Sequence, residues 1–174
     1  MVKKRSGTKI LFDIFLILAI IIVSFFFYRE YSDNIRSLFF GDSYEYTIYV
    51  GSTAVFASVA DTPEELKKGL SGVKELPEFH GKLFIFDSDA RHGIWMKDMN
   101  FPLDILWFDK NLKLVHIEEN VDPSSYPKIF TPEEESRFVL ELNAHFVDSL
   151  GIILGDTLTL PPAILPDDIE KNLY

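Results

Sequence analysis

The stretch IWMKDMNFPLDI, residues 94–105, sets side chains that could do chemistry into apolar surroundings. Lys97, Asp98 and Asp104 lie there among residues that could fill a hydrophobic core. Charges are kept in such surroundings either as ion pairs that tie strands together, or because they bind or react with something. The stretch therefore has three interpretations: a structural ion-pair cluster, a ligand-binding site and an acid–base pair.

Strand alternation predicts how these side chains are distributed. Successive side chains of a strand point to opposite faces, so Trp95 and Lys97 share a face. In the following run, LDILWF, Asp104 points into a largely apolar face. A carboxylate buried there needs a nearby cation or backbone donors, and Lys97 and Arg137 are the candidate cations.

A second stretch, RFVLELNA at residues 137–144, raises the same question for Glu141, which shares a strand face with Arg137. In a ligand site, Trp95 would be an apolar platform and the polar groups would orient the ligand. The candidate ligand-binding residues are then Trp95, Lys97, Asp98, Asp104, Arg137, Glu141 and Asn143. An enzyme would instead use Asp104 and Glu141 as acid and base, which requires the two carboxylates to be close in space.

Other site chemistries lack their sequence signatures. The four histidines show no HxH or HExxH spacing, so no metal site is predicted. The chain has no GxSxG elbow, no glycine-rich phosphate loop and no cysteine, which disfavours a serine hydrolase, a nucleotide cofactor and thiol chemistry. No cofactor is expected.

The elements that must position these residues are mostly short strands. Alternating and β-branched runs predict strands at residues 44–50, 54–60, 82–86, 93–96, 103–108, 112–117, 137–142 and 156–160. Asp109, Lys110 and Asn111 form a hairpin loop between two of them, with Asn111 able to take the left-handed conformation.

Two short helices interrupt the strands. Thr62 is a suitable N-cap, Pro63 fits the first helical position and Glu65 completes a capping box, with Ser71-Gly72 closing the helix. Asn143 can cap a second helix over residues 144–150, which Gly151 would end. The pattern predicts a mainly β fold, a β-sandwich or open barrel of short strands with one or two short helices.

A single transmembrane helix is predicted to precede this domain. Residues 10–28 are apolar except for Asp13 and Ser24, and about 18 to 20 helical residues span roughly 30 Å of hydrocarbon. Four basic residues precede the segment, which places the N-terminus in the cytoplasm and the C-terminal domain outside, extracellular or periplasmic. A cleaved signal peptide is the alternative, but the apolar run is long and ends in bulky aromatics.

The length and charge of the chain indicate how it is divided into segments. The 174 residues divide into a basic cytoplasmic segment (1–9), a transmembrane anchor (10–28), a juxtamembrane linker (29–43) and an extracytoplasmic β-rich domain (44–174). The chain has a net charge of −10, and residues 1–28 carry +3, so the remainder carries −13. That acidity argues against nucleic acid as a partner.

Six segments follow one another along the chain in the order ADTPEELKKGLSG, KLFIF, IWMKDMNFPLDI, IEEN, FVLELNA and GIILGD. Together they resemble the prokaryotic family called domain of unknown function 192, over about residues 46–160. The most specific pieces are WMK followed by PLD, and LELNA. The resemblance implies a small, mostly β domain, often exported or membrane-tethered, without an established reaction or ligand. The sequence departs from the family at Asp98-Met99, where the family has an Asn-Thr pair after WMK, so a site that used that pair would bind something different, or nothing, in this chain.

Two functions follow from these features. The first is a membrane-anchored, non-catalytic binding module that recognises an envelope component, a small ligand or a partner protein through the Trp95 face. The alternative is a carboxylate-based hydrolase acting on envelope polymers. Both functions place the membrane at residues 10–28 and neither involves nucleic acid.

Overall fold

The computed structural model describes residues 45–173. The predicted transmembrane anchor (10–28) and linker (29–43) lie outside the described residues. Between residues 45 and 173, no helix combines the length and apolarity needed to cross a bilayer.

Nine strands form most of the described domain. The strands are β1 (Glu45–Val50), β2 (Thr53–Ala60), β3 (His80–Ala90), β4 (Ile94–Trp95), β5 (Leu103–Phe108), β6 (Leu114–Val121), β7 (Ile129–Phe130), β8 (Ser136–Asn143) and β9 (Leu158–Thr159). Seven of them make one sheet in the order β6-β5-β8-β3-β2-β1-β9, and β4 pairs with β7 in a small second sheet. All neighbours are antiparallel except β2 and β3, which are parallel.

Short helical segments lie between the strands and after the last of them. They are α1 (Pro63–Lys68), α2 (Phe146–Leu150), α3 (Asp167–Leu173) and 3-10 turns at Pro123–Ser125 and Pro162–Ile164. The third helix exceeds the one or two expected.

The seven-stranded sheet curls until its two edges meet at one end. Lys113 and Thr157, which precede β6 and β9, form an antiparallel bridge. Beside it, the Leu158 amide donates to the Leu112 carbonyl and the Gly155 amide donates to the Leu114 carbonyl, both at 2.8 Å. The mainly β prediction is confirmed, and the sheet takes the open-barrel form rather than the sandwich form.

Each face of this sheet is covered by its own hydrophobic cluster. The inner face, which includes Leu83, Leu106 and Leu140, collects side chains from all seven strands. The outer face, which includes Phe84 and Val139, packs against Leu70, Met96 and other residues of the small sheet and its loops. Because both faces are covered, β5 is buried along its whole length, which explains how its charged residue comes to be inside the protein.

The first predicted helix begins where expected. The Glu65 amide donates to Thr62 Oγ1 at 3.3 Å, and Glu65 Oε2 accepts from the Thr62 amide at 3.2 Å, so the capping box is confirmed. The helix ends sooner than predicted, at Lys68, with Gly69 rather than Ser71-Gly72 at its C-terminus.

Two other local predictions were wrong. Asn143 does not cap α2, which begins at Phe146 after His145 in the left-handed conformation (φ 68°). In the β5–β6 hairpin, Leu112 (φ 62°) adopts the left-handed conformation that was assigned to Asn111. At both positions long-range contacts outweigh the residue preferences for turns and caps.

Candidate functional site

The small sheet presents apolar side chains to solvent. Ile94 and Phe130 face each other and are buried in the outer-face cluster. Trp95 and Ile129 also face each other, but on the opposite side, where Trp95 is 41% exposed and Ile129 57%. Because side chains alternate along a strand, one cross-strand pair of β4 and β7 points into the core and the other points to the surface.

Tyr126 extends this surface. It is 45% exposed, and its ring centroid lies 6.1 Å from that of Trp95, with the two rings inclined at 68°. This edge-to-face arrangement is favourable for aromatic pairs. We call the three side chains of Trp95, Tyr126 and Ile129 the aromatic patch.

Two lysines of this region lie over aromatic rings. Lys97 Nζ lies 5.8 Å from the Trp95 ring centroid, so the predicted common face of Trp95 and Lys97 is observed. Lys128 Nζ lies 4.0 Å from the ring centroid of Phe130, a cation–π contact with a side chain that points away from Trp95 and Ile129. Residues 91–97 and 123–131 contain three basic residues and no acidic one, in a chain whose net charge is −10. Exposed Asp98 and Asp122 adjoin these two segments, so charges of both signs surround the patch.

The segment after Trp95 is held by its backbone. The Lys97 carbonyl accepts from Ser71 Oγ at 2.8 Å, and the Asp98 carbonyl accepts from the Gly72 amide at 2.8 Å. Asn100 Nδ2 donates to the Val73 carbonyl at 2.7 Å. These bonds leave the side chains of Lys97 and Asp98 exposed, so both stay available to a ligand.

The Asn143 side chain holds the loop between α1 and β3 and is not available to a ligand. Its Nδ2 donates to the Leu76 carbonyl at 2.8 Å and to the Pro77 carbonyl at 3.3 Å. The amide thereby ties β8 to the loop that covers the outer face, which is a structural task.

Asp104 is fully buried on the inner face and is held by backbone donors. Its Oδ1 accepts from the Asn120 amide and its Oδ2 from the Val147 amide, each at 2.9 Å. Val147 lies in the first turn of α2, whose N-cap residue His145 makes no side-chain capping bond. Asp104 therefore caps α2 from a neighbouring strand. The backbone-donor alternative was correct, and the expected pairing with Lys97 or Arg137 was wrong.

Arg137 is also used structurally. Its Nη2 donates to both carboxylate oxygens of Asp168, at 3.1 Å each, and its Nη1 lies 3.8 Å from Asp89. The guanidinium is mostly buried and joins β8 to α3, which places it away from Asp104 on the other face of the sheet.

Glu141 is a buried carboxyl group that its surroundings satisfy only in part. It is 4% exposed on the outer face, and its Oε2 has no hydrogen-bond partner among the described residues. Burial raises the pKa of Glu141 to about 8, although the charge of Lys82 opposes that rise. A Cβ placed at Gly69 would lie 3.7 Å from Oε2, so the carboxyl group sits directly beneath the end of α1.

Lys82 is a neighbour that the sequence analysis missed. It faces Glu141 across the β3–β8 pair, and its Nζ donates to the Val59 carbonyl at 3.0 Å. Burial lowers the pKa of this lysine, with Glu65 and Glu141 acting in the opposite direction. The sequence did contain a signal for this neighbour, because a lysine stands at the start of the apolar run KLFIF.

The two buried carboxylates cannot act as an acid–base pair. Asp104 lies opposite Leu142 on β8, while Glu141 lies opposite Ile105 on β5, so the two carboxylates project from opposite faces of the sheet. The structure thus brings Trp95 and Lys97 to one surface, and the adjoining Asp98 is also exposed. Asp104, Arg137 and Glu141 are buried instead.

Comparisons with known proteins agree with this description. The model of the family DUF192, described as uncharacterized ACR, matches residues 47–160. The fold is similar to a candidate transcription regulator from Sinorhizobium meliloti, with 31% identity, a TM-score of 0.61, and coverage of 66% of this chain and 90% of that one. It is also similar to a protein of unknown function from Novosphingobium aromaticivorans, with 25% identity, a TM-score of 0.63, and coverage of 66% and 84%. No curated protein matches the chain.

Proposed function

We propose that this chain, which belongs to the DUF192 family, is a non-catalytic binding module whose ligand docks on the aromatic patch. The observation that carries the proposal is the exposure of Trp95, Tyr126 and Ile129 as neighbours on the small sheet. Large apolar side chains grouped on a surface mark interaction sites far more often than single exposed ones do.

The alternative of a carboxylate-based hydrolase receives less support. Its acid and base would be Asp104 and Glu141, which lie on opposite faces of one sheet. Both oxygens of Asp104 are also occupied by backbone amides, so this carboxylate is engaged in holding α2.

We further propose that residues 10–28 anchor the module in a membrane, with the domain outside. Support for this comes from the length of the apolar segment and from the basic residues before it. The ligand is then a component of the cell envelope. The acidity of the domain opposes nucleic acid, so the regulatory role in the description of the Sinorhizobium meliloti protein is not transferred.

Binding of the purified full-length chain, in detergent, to fractionated cell envelope tests the proposal. The fractions are polysaccharide, protein and lipid, each offered separately. We expect one fraction to bind the chain, and Trp95→Ala to weaken that binding about tenfold or more, because exposed tryptophans at interface centres contribute roughly 2 kcal/mol or more.

Tyr49→Ala is the matched control, since Tyr49 is an aromatic of similar exposure (43%) on β1 in the main sheet. It should leave binding unchanged. Binding that is insensitive to Trp95→Ala, or absent from every fraction, would contradict the proposed function.

A further inference from the structure

We propose that α1 is a hinged lid over the outer face of the sheet, and that the proton on Glu141 controls its opening. The inference goes beyond the proposed function and does not depend on the ligand of the aromatic patch. Three features carry it: the way in which α1 is attached, the glycines that follow α1, and the buried carboxyl group beneath it.

Few contacts attach α1 to the sheet. None of its own residues is buried, and within the described part of the chain no hydrogen bond joins Pro63–Lys68 to a strand or to another helix. Leu66 is partly buried and Leu70, just after the helix, is 6% exposed, and both pack in the outer-face cluster. A segment held by two apolar side chains opens at a lower free energy than the strands beneath it.

The chain has a hinge directly after α1. Gly69 (φ 48°) and Gly72 (φ 78°) both have positive φ, which glycine adopts without the steric cost of a Cβ. Beyond this point the loop is fixed, because the Gly72 amide donates to the Asp98 carbonyl and Asn143 Nδ2 donates to the Leu76 carbonyl, each at 2.8 Å. The helix can therefore swing while the loop after it stays in place.

Glu141 lies beneath this lid without a partner for one of its oxygens. Its Oε2 accepts no hydrogen bond from the described residues, and a Cβ placed at Gly69 would lie 3.7 Å from it. Lys82, opposite on β3, uses its Nζ on the Val59 carbonyl at 3.0 Å. The other charged groups on neighbouring elements are Glu65 and Lys68 on α1, Asp61 before α1 and Glu118 on β6. Lifting the end of α1 brings water to Oε2, which the closed protein does not.

The protonation of Glu141 therefore sets how easily the lid opens. In the closed protein burial raises the pKa of Glu141 to about 8, although the charge of Lys82 opposes that rise, and water restores the ordinary value of 4.5 in the open protein. Between these two values, opening releases a proton. Opening then becomes more favourable by about tenfold for each unit of rising pH, and levels off above about pH 8.

Thiol labelling measures the opening, because the chain has no cysteine of its own. Leu70→Cys places a thiol under the lid of the full-length chain in detergent. Its rate of reaction with a maleimide is divided by the rate for Ser52→Cys, at an exposed turn, which removes the pH dependence of the thiol itself. We expect this ratio to rise about tenfold per pH unit between pH 6 and pH 7.5.

Two carboxyl variants, both made together with Leu70→Cys, assign the pH dependence. Glu141→Gln should make the ratio independent of pH, because the group that releases the proton is gone. The matched control is Glu64→Gln, which removes a carboxylate from an exposed position on the same helix and should leave the rise unchanged.

Val55→Cys separates opening of the lid from unfolding of the whole domain. Val55 is fully buried on β2 in the inner-face cluster, so a thiol there reacts when the sheet itself unfolds. We expect it to react at least about 100-fold more slowly than Leu70→Cys. Low concentrations of urea should accelerate Val55→Cys much more strongly, because unfolding of the domain exposes more surface than opening of one helix.

Three outcomes would overturn the inference. A ratio for Leu70→Cys that does not change with pH would show that Lys82 compensates the charge of Glu141 while the lid stays closed. A rise that persists in Glu141→Gln would assign the pH dependence to another group. Equal rates for Leu70→Cys and Val55→Cys would mean that α1 opens only when the whole domain unfolds.

Discussion

Asp104 and Glu141 are both buried carboxylates on neighbouring strands, but hydrogen-bond donors reach the two oxygens of Asp104 and leave Oε2 of Glu141 unpartnered among the described residues. The two amides hold Asp104 in place through its carboxylate oxygens, whereas a buried carboxyl group without donors is more stable when protonated. The two residues should therefore respond in opposite ways to neutralisation.

Neutralising Glu141 should stabilise the protein at alkaline pH. Its pKa is about 8 in the folded chain against an ordinary value of 4.5, so between these values the folded state binds more protons than the unfolded state. Stability should fall as the pH rises through this window. Glu141→Gln should remove that fall and be more stable than the parent by about 2 kcal/mol or more at pH 9. Urea unfolding at pH 5, 7 and 9, followed by tryptophan fluorescence, measures this difference.

Lys82→Met provides the companion measurement. Lys82 lowers the pKa of Glu141, so its removal should shift the midpoint of the stability loss to higher pH. Identical pH profiles for the parent and Glu141→Gln would show that this carboxyl group titrates normally in the folded protein.

Neutralising Asp104 should destabilise the protein. Asp104→Asn presents one acceptor and one donor to the amides of Asn120 and Val147, whose hydrogen bonds are part-buried and buried respectively, so one amide loses its partner, at a cost of about 1 to 3 kcal/mol. Lys97→Met should change stability by less than about 0.5 kcal/mol, because Lys97 is exposed. Since the two residues share no contact, the double variant should equal the sum of the single ones. Rescue of Asp104→Asn by Lys97→Met in thermal unfolding would instead restore the ion-pair interpretation.

At the scale of elements, the outer face depends on how the chain leaves α1. Gly69 has φ 48° and ψ −127°, a conformation that residues with a Cβ rarely adopt, and a Cβ there would lie 3.0 Å from Phe84 Cζ. The loop that follows is bonded to the segment after Trp95 and to Asn143. One glycine thus directs a loop that covers Glu141 and steadies the aromatic patch.

Gly69→Ala should lower stability by about 1 to 3 kcal/mol, because it adds backbone strain and crowds Phe84. Gly72→Ala is the matched control. Its φ is also positive, at 78°, but nothing lies within 4 Å of the added Cβ, so it reports strain without crowding. Equal losses for the two variants in urea unfolding would mean that the contact with Phe84 is easily relieved.

At the scale of the whole molecule, the curled sheet with a cluster on each face accounts for the stability of the fold, while the small sheet offers the surface for binding. Membrane attachment would bring that surface to the envelope. The topology is a prediction from residues 10–28 and the charges around them.

The absence of cysteine from the sequence allows a direct test of this topology. Single variants Ser6→Cys and Ser52→Cys place one thiol on each side of the expected anchor, the latter at an exposed turn. In intact cells, with any outer layer opened, an impermeant maleimide should label Ser52→Cys and should reach Ser6→Cys only after lysis. The reverse labelling would refute the orientation, and a shortened soluble product would show cleavage.

Local signals predicted the elements well. Strand β5 spans the predicted residues 103–108, and the Thr62 capping box forms as expected, because both depend on residues within a few positions of one another. The prediction that Asn143 caps α2 was wrong because an amide side chain that could cap the next helix can equally bond a distant loop. The two-residue strand β7 and the helix α3 were missed, since neither carries a long periodic pattern.

The sequence by itself determined a mainly β domain, its family, the common face of Trp95 and Lys97, and the burial of Asp104 in an apolar face. Only the tertiary structure decided that the strands curl into an open barrel, that Asp104 meets the amides of Asn120 and Val147, and that Glu141 faces Lys82. The reason is physical. Alternation fixes the face of a side chain within its own strand, but backbone donors are the same at every residue, so nothing in the sequence marks which distant amide a carboxylate will meet.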